Sequence, residues 1–258
     1  MKNAYYFISD VHFGFGSKEE DKLKEKVLLH FFDFIKNDAK ELFIVGDLFD
    51  YWMEYKHVVP KGYYKVFAKI SELVENGIKI NYLAGNHDFW RGTYFKDEFG
   101  IDIVFDEIIR DIEGKKFFIH HGDGMAYKDT GYKILKKIMR NRFAQFMYAK
   151  LHPDWGLGLA KKSSHSSRMH TGQRDYSKHD GLKDFAEKII DERAFNYVIM
   201  GHRHLPLRKD FPKGTYINLG DWIDNFTYAV YKENIMEFIS YYNKKESKYR
   251  QEIIKAVG

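Results

Sequence analysis

Five apolar runs in this chain each end on residues that bind metal ions or move protons. Asp10 and His12 follow residues 4–8, and Asp47 follows 42–46 with Asp50 three positions later. Asn86, His87 and Asp88 follow 78–85, His121 and Asp123 follow 116–120, and His202 and His204 follow 197–201. An Asp and a His two apart at a strand end point to the same side, so both can reach one ion. Together Asp10, His12, Asp47, Asn86, His121, His202 and His204 form a set of oxygen and imidazole donors. Without thiolates, such a set suits manganese, iron or zinc. Seven donors are too many for one ion and suit two that share a carboxylate. In the stretch LFIVGDLFD, Asp47 is the acid placed to be shared. Two metals about 3.5–4 Å apart hold both the attacking and the leaving oxygen of a phosphoryl ester, which makes phosphoester hydrolysis the chemistry to expect. Each motif alone has a plainer reading: Gly-Asp after a strand is also an ordinary turn, and a lone buried His is ordinarily a hydrogen-bonded core residue.

The apolar runs must be strands if they are to present these donors together. Helical patterns separate them, over 19–38 with Val27, Leu28, Phe31, Phe32 and Ile35 at helical spacing, and over 63–76 with Gly77 closing the helix. Alternating strands and helices predict an α/β sandwich with the donors along one sheet edge. Stretches near Tyr228 and Phe238 read as closing antiparallel strands. The polar, basic tail from Lys244 onward is expected to fray.

Size and composition are consistent with this reading. The chain has 258 residues, 44% hydrophobic and 17% aromatic, enough for one large domain with its own core. It has no cysteine, which excludes disulfides and thiolate metal sites and suits a reducing compartment. The first apolar run is too short for a signal peptide or a membrane span, so a cytoplasmic protein is expected. No internal repeat or low-complexity linker is present.

The net charge of +5 is unevenly spread. Residues 126–183 carry thirteen Lys or Arg against four acidic residues, leaving that segment near +9 and the remainder near −4. This segment shows no strand pattern. It reads as a basic helical insertion, with helices over 131–142 and 143–151, within a single domain spanning 1–258. Following His121-Gly122-Asp123 directly, it is placed to act as a lid. It also contains Ile134, Leu135, Ile138, Met139, Phe143, Phe146 and Met147, which would pack the lid onto the core or face an acyl substrate.

The ordered series Asp10-x-His12, Gly46-Asp47, Gly85-Asn86-His87-Asp88, His121-Gly122-Asp123 and Gly201-His202-x-His204 resembles the calcineurin-like metallophosphoesterases over the whole chain outside the insertion. The resemblance implies a four-layer αββα sandwich. One metal would take Asp10, His12, Asp47 and His204, and the other Asp47, Asn86, His121 and His202. A hydroxide bridging them would attack phosphorus, and His87 would protonate or stabilise the leaving oxygen. Asp50 matches the acid that orients this His, and a carboxylate beside an imidazole favours its charged form. The other reading of Asp50 is a helix N-cap.

SDVHFG, GDLFDYW, GNHDFW, HHGDG, GHRHLP and NLGDW, together with the inserted lid, are similar to the UDP-2,3-diacylglucosamine hydrolases of lipid A biosynthesis. That similarity implies pyrophosphate cleavage at the α-phosphorus, giving UMP and 2,3-diacylglucosamine 1-phosphate. It also implies two divalent ions, manganese first with iron or zinc open, and peripheral contact with the cytoplasmic face of the inner membrane. Neither nucleic acid nor an obligate protein partner is expected. Tyr132, Lys161, Lys162, Ser167 and Arg168 would be lid residues at the substrate. The chain departs from the best-studied branch at His87, where that branch has Arg. Asp221-Trp222 sits beside the site or forms a turn under the sheet edge. His30, His57, His152, His165, His170 and His179 read as surface or structural residues. The alternative activity is a phosphodiesterase or phosphatase acting on nucleotides or nucleic acid, with the basic segment as a phosphate track. A metal-holding scaffold without activity is disfavoured by the complete donor set with His87 and Asp50.

Overall fold

A computed structural model of the chain describes residues 2–125, 136–160 and 181–257. Strand β1 (Ala4–Ile8) lies parallel to β2 (Ala39–Val45), which lies parallel to β3 (Lys79–Leu83) and then β4 (Ile103–Val104). On the other side of β1, strands β10 (Thr227–Lys232), β11 (Ile235–Asn243) and β12 (Lys248–Ile253) continue antiparallel, giving seven strands in the order β12-β11-β10-β1-β2-β3-β4. The second sheet has the order β5-β6-β7-β9-β8. It comprises β5 (Ile108–Ile112), β6 (Lys115–His120), β7 (Tyr197–Met200), β8 (Leu207–Phe211) and β9 (Gly214–Asn218). Its middle three strands are parallel.

Strand alternation sorts the core into three layers of packing. Phe7, Phe43 and Val45 face Phe117, Ile119 and Ile199 between the sheets, with the Phe7 and Phe117 rings stacked at 6.0 Å. Tyr6, Ile8 and Ile44 face the other way, against helices α1 (Lys18–Ile35) and α2 (Tyr64–Glu75). Phe118, Val198 and Tyr216 pack on helix α5 (Gly181–Arg193) through Leu182, Ala186, Ile189 and Ile190. The result is the helix–sheet–sheet–helix sandwich expected from the sequence.

Local signals account for the helix boundaries. A reciprocal capping box between Ser17 and Glu20 starts α1, and its buried face is Val27, Leu28, Phe31, Phe32 and Ile35. The helix stops at Ile35, three residues short of the expected end. Gly77 adopts φ 76° after α2 and its amide bonds back to Val74 O, as its position predicts. Helix α3 (Tyr94–Phe99) lies outside the expected elements.

The tail does not fray. Residues 248–253 form β12 on β11, with Tyr249 stacked on His30 at a 3.9 Å ring separation. Most β12 side chains are exposed, so no apolar alternation marks it; an edge strand is held by backbone bonds that any residue can make.

Within 126–183, the described residues 136–160 hold helical turns at 136–139 and helix α4 (Arg142–Tyr148). Asn141 begins α4 by accepting the amides of Phe143 and Ala144, so the break falls slightly earlier than the sequence suggests. A further helical stretch runs over 153–160. Residues 181–183 belong to α5, which packs on the core.

Candidate metal centre

The loops after β1, β2, β3, β6 and β7 meet at one end of the two sheets and bring all seven donors together. His12 Nε2 lies 3.1 Å from His204 Nε2. These nitrogens stand 3.5 and 3.3 Å from Asp10 Oδ1. Asp47 Oδ2 is 3.5 Å from His12 Nε2 and 3.3 Å from His121 Nε2. Asn86 Oδ1 is 3.0 Å from that same His121 nitrogen. His202 closes the group: its amide donates to Asp10 Oδ2 at 2.9 Å and its ring lies 5.2 Å from that of His121. Asp47 is therefore the residue between the two halves of the cluster, as its place in LFIVGDLFD suggests.

Strained backbone sets this geometry. Asp10, His12, Asp47, His202 and His204 all adopt left-handed φ, between 50° and 72°. Non-glycine residues pay for that conformation and keep it where the surroundings impose it, commonly at functional sites. Glycines make the approach possible. A Cβ at Gly46 would overlap the His121 ring, and one at Gly85 would overlap the Asp47 carboxylate.

The electrostatics match a cation site. Burial alone would raise the Asp10 and Asp47 carboxyls, but the surrounding imidazoles, His204 for Asp10 and His121 for Asp47, hold both below the usual carboxylate range. Burial would lower His121, yet the Asp47 carboxylate carries it up to about 10. Burial, then the charge of His121, pushes His202 down to about 4, leaving it neutral and able to donate a lone pair. Asp10 Oδ1 is buried, and the His12 and His204 imidazole nitrogens converge beside it at 3.5 and 3.3 Å. A divalent cation satisfies such an arrangement, so the residues present fit the ions that the donor types call for. Three overlapping groups have donor atoms within 4.8 Å of one another: Asp10, His12 and His204; His12, Asp47 and His87; and Asp10, Asp47 and His121.

His87 and Asp50 are joined in an unexpected way. His87 Nδ1 donates to the Asp50 backbone carbonyl at 2.9 Å, and the Asp50 carboxylate lies 3.6 Å from it. The same carboxylate stands 3.4 Å from His12 Nδ1, so Asp50 faces both rings. No helix begins at Asp50; it lies in the loop between β2 and α2.

Asp221 takes both roles its motif allows. Oδ1 accepts the amides of Ile223, Asp224 and Asn225 in a turn, and Oδ2 lies 3.8 Å from His204 Nδ1. Three supporting residues had no role assigned to them in the sequence reading. Asp88 is buried and accepts from the amides of Asp47, Leu48 and Gly85. Buried Lys24 donates to the carbonyls of His12 and Phe15. Asp123, beyond His121, pairs with Lys136 at 2.8 Å. Their only sequence signal was membership of a motif (Asp88, Asp123), or a charge on the buried face of a helix (Lys24).

Beside Asn86 and His87 opens a cavity of about 520 Å³. Trp52, Met53, Phe89 and Trp90 line it from the core, and Ile138, Met139, Tyr148 and Leu159 from the 136–160 segment. Tyr132, Lys161, Lys162, Ser167 and Arg168 lie outside the described residues, as do His165, His170 and His179.

A model of the calcineurin-like phosphoesterase family matches residues 5–206. The UDP-2,3-diacylglucosamine hydrolase of Porphyromonas gingivalis is 33% identical over 249 residues, covering 90% of this chain and 95% of that protein. The protein of the same name from Histophilus somni strain 2336 is 30% identical, covering 86% of this chain and 93% of its own. Among solved structures, vacuolar protein sorting 29 from Cryptosporidium parvum superposes with a TM-score of 0.50 at 10% identity, over 98% of this chain and 96% of that one, a likeness of fold.

Proposed function

Because this chain belongs to the calcineurin-like phosphoesterase family and is a metal-dependent hydrolase, we propose that it hydrolyses the pyrophosphate bond of UDP-2,3-diacylglucosamine, releasing UMP and 2,3-diacylglucosamine 1-phosphate. The observation that carries the substrate is the apolar cavity opening beside Asn86 and His87. Its volume lies within the usual range for ligand pockets, about 300–1,000 Å³, and its Trp, Phe, Met and Leu walls suit acyl chains rather than a polyanion. A nucleic-acid track would instead be an open basic groove with exposed stacking rings. Relatives of at least 30% identity carry the corresponding name.

Asp10, His12, Asp47 and His204 would hold one divalent ion, and Asp47, Asn86, His121 and His202 the other; manganese suits the oxygen and imidazole donors, as do iron and zinc. Bound there, such ions supply Lewis acidity to the phosphoryl oxygens and acidify water for attack. Water adds to the α-phosphorus, the bond to the bridging oxygen breaks, and that oxygen leaves with the sugar phosphate. His87 has Nδ1 tied to the Asp50 carbonyl, which leaves Nε2 as the nitrogen that the leaving oxygen meets. The 136–160 segment acts as the described part of a basic lid that ends before α5. It covers the acyl chains and excludes water from them.

The same segment supports contact with the cytoplasmic face of the inner membrane. Phe143 and Trp155 are 71% and 70% exposed, Phe146 and Met147 also face solvent, and Lys137, Arg142 and Lys150 lie among them. No helix among the described residues is long and apolar enough to cross a membrane. The test is incubation with Mn²⁺ and UDP-2,3-diacylglucosamine in mixed micelles, with UMP followed by phosphorus NMR. UMP release at turnover rates is expected. Turnover of bis(p-nitrophenyl) phosphate or a cyclic nucleotide with no UMP formed would replace this reading with a nucleotide or nucleic-acid phosphodiesterase.

A further inference from the structure

Arg140 stands in the wall of the cavity, just before the Asn141 cap of α4, and its side chain is 11% exposed. Its guanidinium reaches three separate loops of the core. Nη1 donates to Phe105 O at 2.7 Å and Nη2 to Gly85 O at 3.1 Å. Nη2 also lies 3.5 Å from Asp123 Oδ2. Gly85 immediately precedes Asn86, Asp123 lies two residues beyond His121, and Asn86 Oδ1 meets His121 Nε2 at 3.0 Å. One side chain of the inserted segment therefore grips both loops that converge on this half of the metal centre. Among the described residues, the ion pairs of Asp123 with Lys136 and Arg140 are the only ones joining 136–160 to the rest of the chain.

We infer that Arg140 is a positioning residue that couples the cavity wall to the Asn86–His121 half of the metal centre. The inference rests on the assignment of Asn86 and His121 as ligands, but not on the identity of the substrate. Gly85 O and Phe105 O are partly buried backbone acceptors at the inner end of the segment, and carbonyls withdrawn from water need partners. A planar fork serves two carbonyls and a carboxylate at once, which a single ammonium cannot do in the same geometry. With Arg140 in place, the height of Asn86 relative to His121 is set by the segment that walls the cavity. Coupling of this kind is reciprocal: a ligand seated against the wall tightens metal binding, and the metal steadies the wall.

The test is Mn²⁺ binding to the metal-free protein by calorimetry, with no substrate present. Arg140→Met is expected to weaken one of the two sites, that of Asn86 and His121, about 10–100-fold and to leave the other unchanged, the usual effect of removing a residue that orients a ligand. Gln145→Leu is the comparison, because Gln145 also fastens the segment, through Arg91 N at 3.2 Å and Phe89 O at 3.5 Å farther along the loop after β3, without touching Gly85, Asp123 or either ligand. It should bind Mn²⁺ within about threefold of the parent protein. Should Arg140→Met fail to fold, Arg140→Lys, which keeps a cation there, should show an intermediate loss. Unchanged Mn²⁺ affinity in the Arg140 variants, or equal weakening in Gln145→Leu, would overturn the inference and reduce Arg140 to a fastening of the segment. Failure to release UMP from the lipid substrate would count against the proposed function and leave this result standing.

Discussion

Asp88, in the loop after β3, accepts the backbone amide of Asp47 in the loop after β2, Oδ1 to N at 3.1 Å. The same carboxylate takes the amides of Leu48 at 2.8 Å and Gly85 at 2.7 Å and the Tyr82 hydroxyl at 2.5 Å. A buried acid with four donors thus fixes the left-handed backbone from which Asp47 projects. Burial, then the nearby charge of Asp47, raises Asp88 to about 6, so the arrangement is held against electrostatic cost by those donors.

Replacing Asp88 with Ala should be severe. Each buried donor left without a partner costs about 1–3 kcal/mol, so the loss of folding free energy should reach about 3 kcal/mol or more. Urea unfolding of the metal-free protein measures it. An unchanged midpoint would mean that the donors find other acceptors.

Asp47→Asn should damage both halves of the metal centre at once, because Asp47 Oδ2 contacts both His12 and His121. Metal content by plasma mass spectrometry should fall from two ions toward none, with turnover lost. His121→Ala should lower metal occupancy in the half that His121 shares with Asn86 and should also abolish turnover. Retention of one full equivalent by Asp47→Asn would show that the carboxylate belongs to a single ion.

His87→Ala is expected to keep both ions and lose about 10²–10⁴-fold in rate, the weight of general acid catalysis. The loss should appear in kcat with KM little changed. A variant that loses metal as well would mark His87 as a ligand, a role its nearness to the His12 and Asp47 donors also allows.

Metal uptake should release protons. His121 in the metal-free protein titrates near 10, above the ordinary 6.5, through its pairing with Asp47. Because the folded value is raised, that pairing stabilises the metal-free fold fully below about 6.5 and is lost as pH rises through about 10. Between those values a metal must displace the His121 proton, so apparent affinity should climb with pH across this window. Calorimetry in two buffers of different ionisation enthalpy reads the proton count, and equal heats in both would refute the exchange.

Filling the cavity should separate substrate binding from chemistry. Ala144 lines it, and Ala144→Trp is expected to raise KM for the diacylated substrate at least about tenfold. Hydrolysis of bis(p-nitrophenyl) phosphate, which needs no acyl site, should stay within about twofold. An equal effect on both substrates would place the cavity outside the acyl path.

The chain by itself determined the reaction chemistry and the sandwich. Donor types follow one another along the sequence, and apolar periodicity reports which face of each strand or helix is buried, so Asp10, His12, Asp47, Asn86, His121, His202 and His204 were legible as donors at strand ends that the fold brings together. Tertiary structure decided what depends on groups that all residues share or on parts far apart in sequence. Strand β12 escaped notice because backbone pairing at an edge leaves no side-chain pattern. His87 is held by the carbonyl of Asp50, and Asp88 acts through backbone amides, neither of which residue type reveals. The cavity joins residues 50–53 and 86–90 to 136–160, and Arg140 reaches Gly85 across 55 positions. Only the fold brings such groups together, because their contact comes from packing and not from any local spacing along the chain.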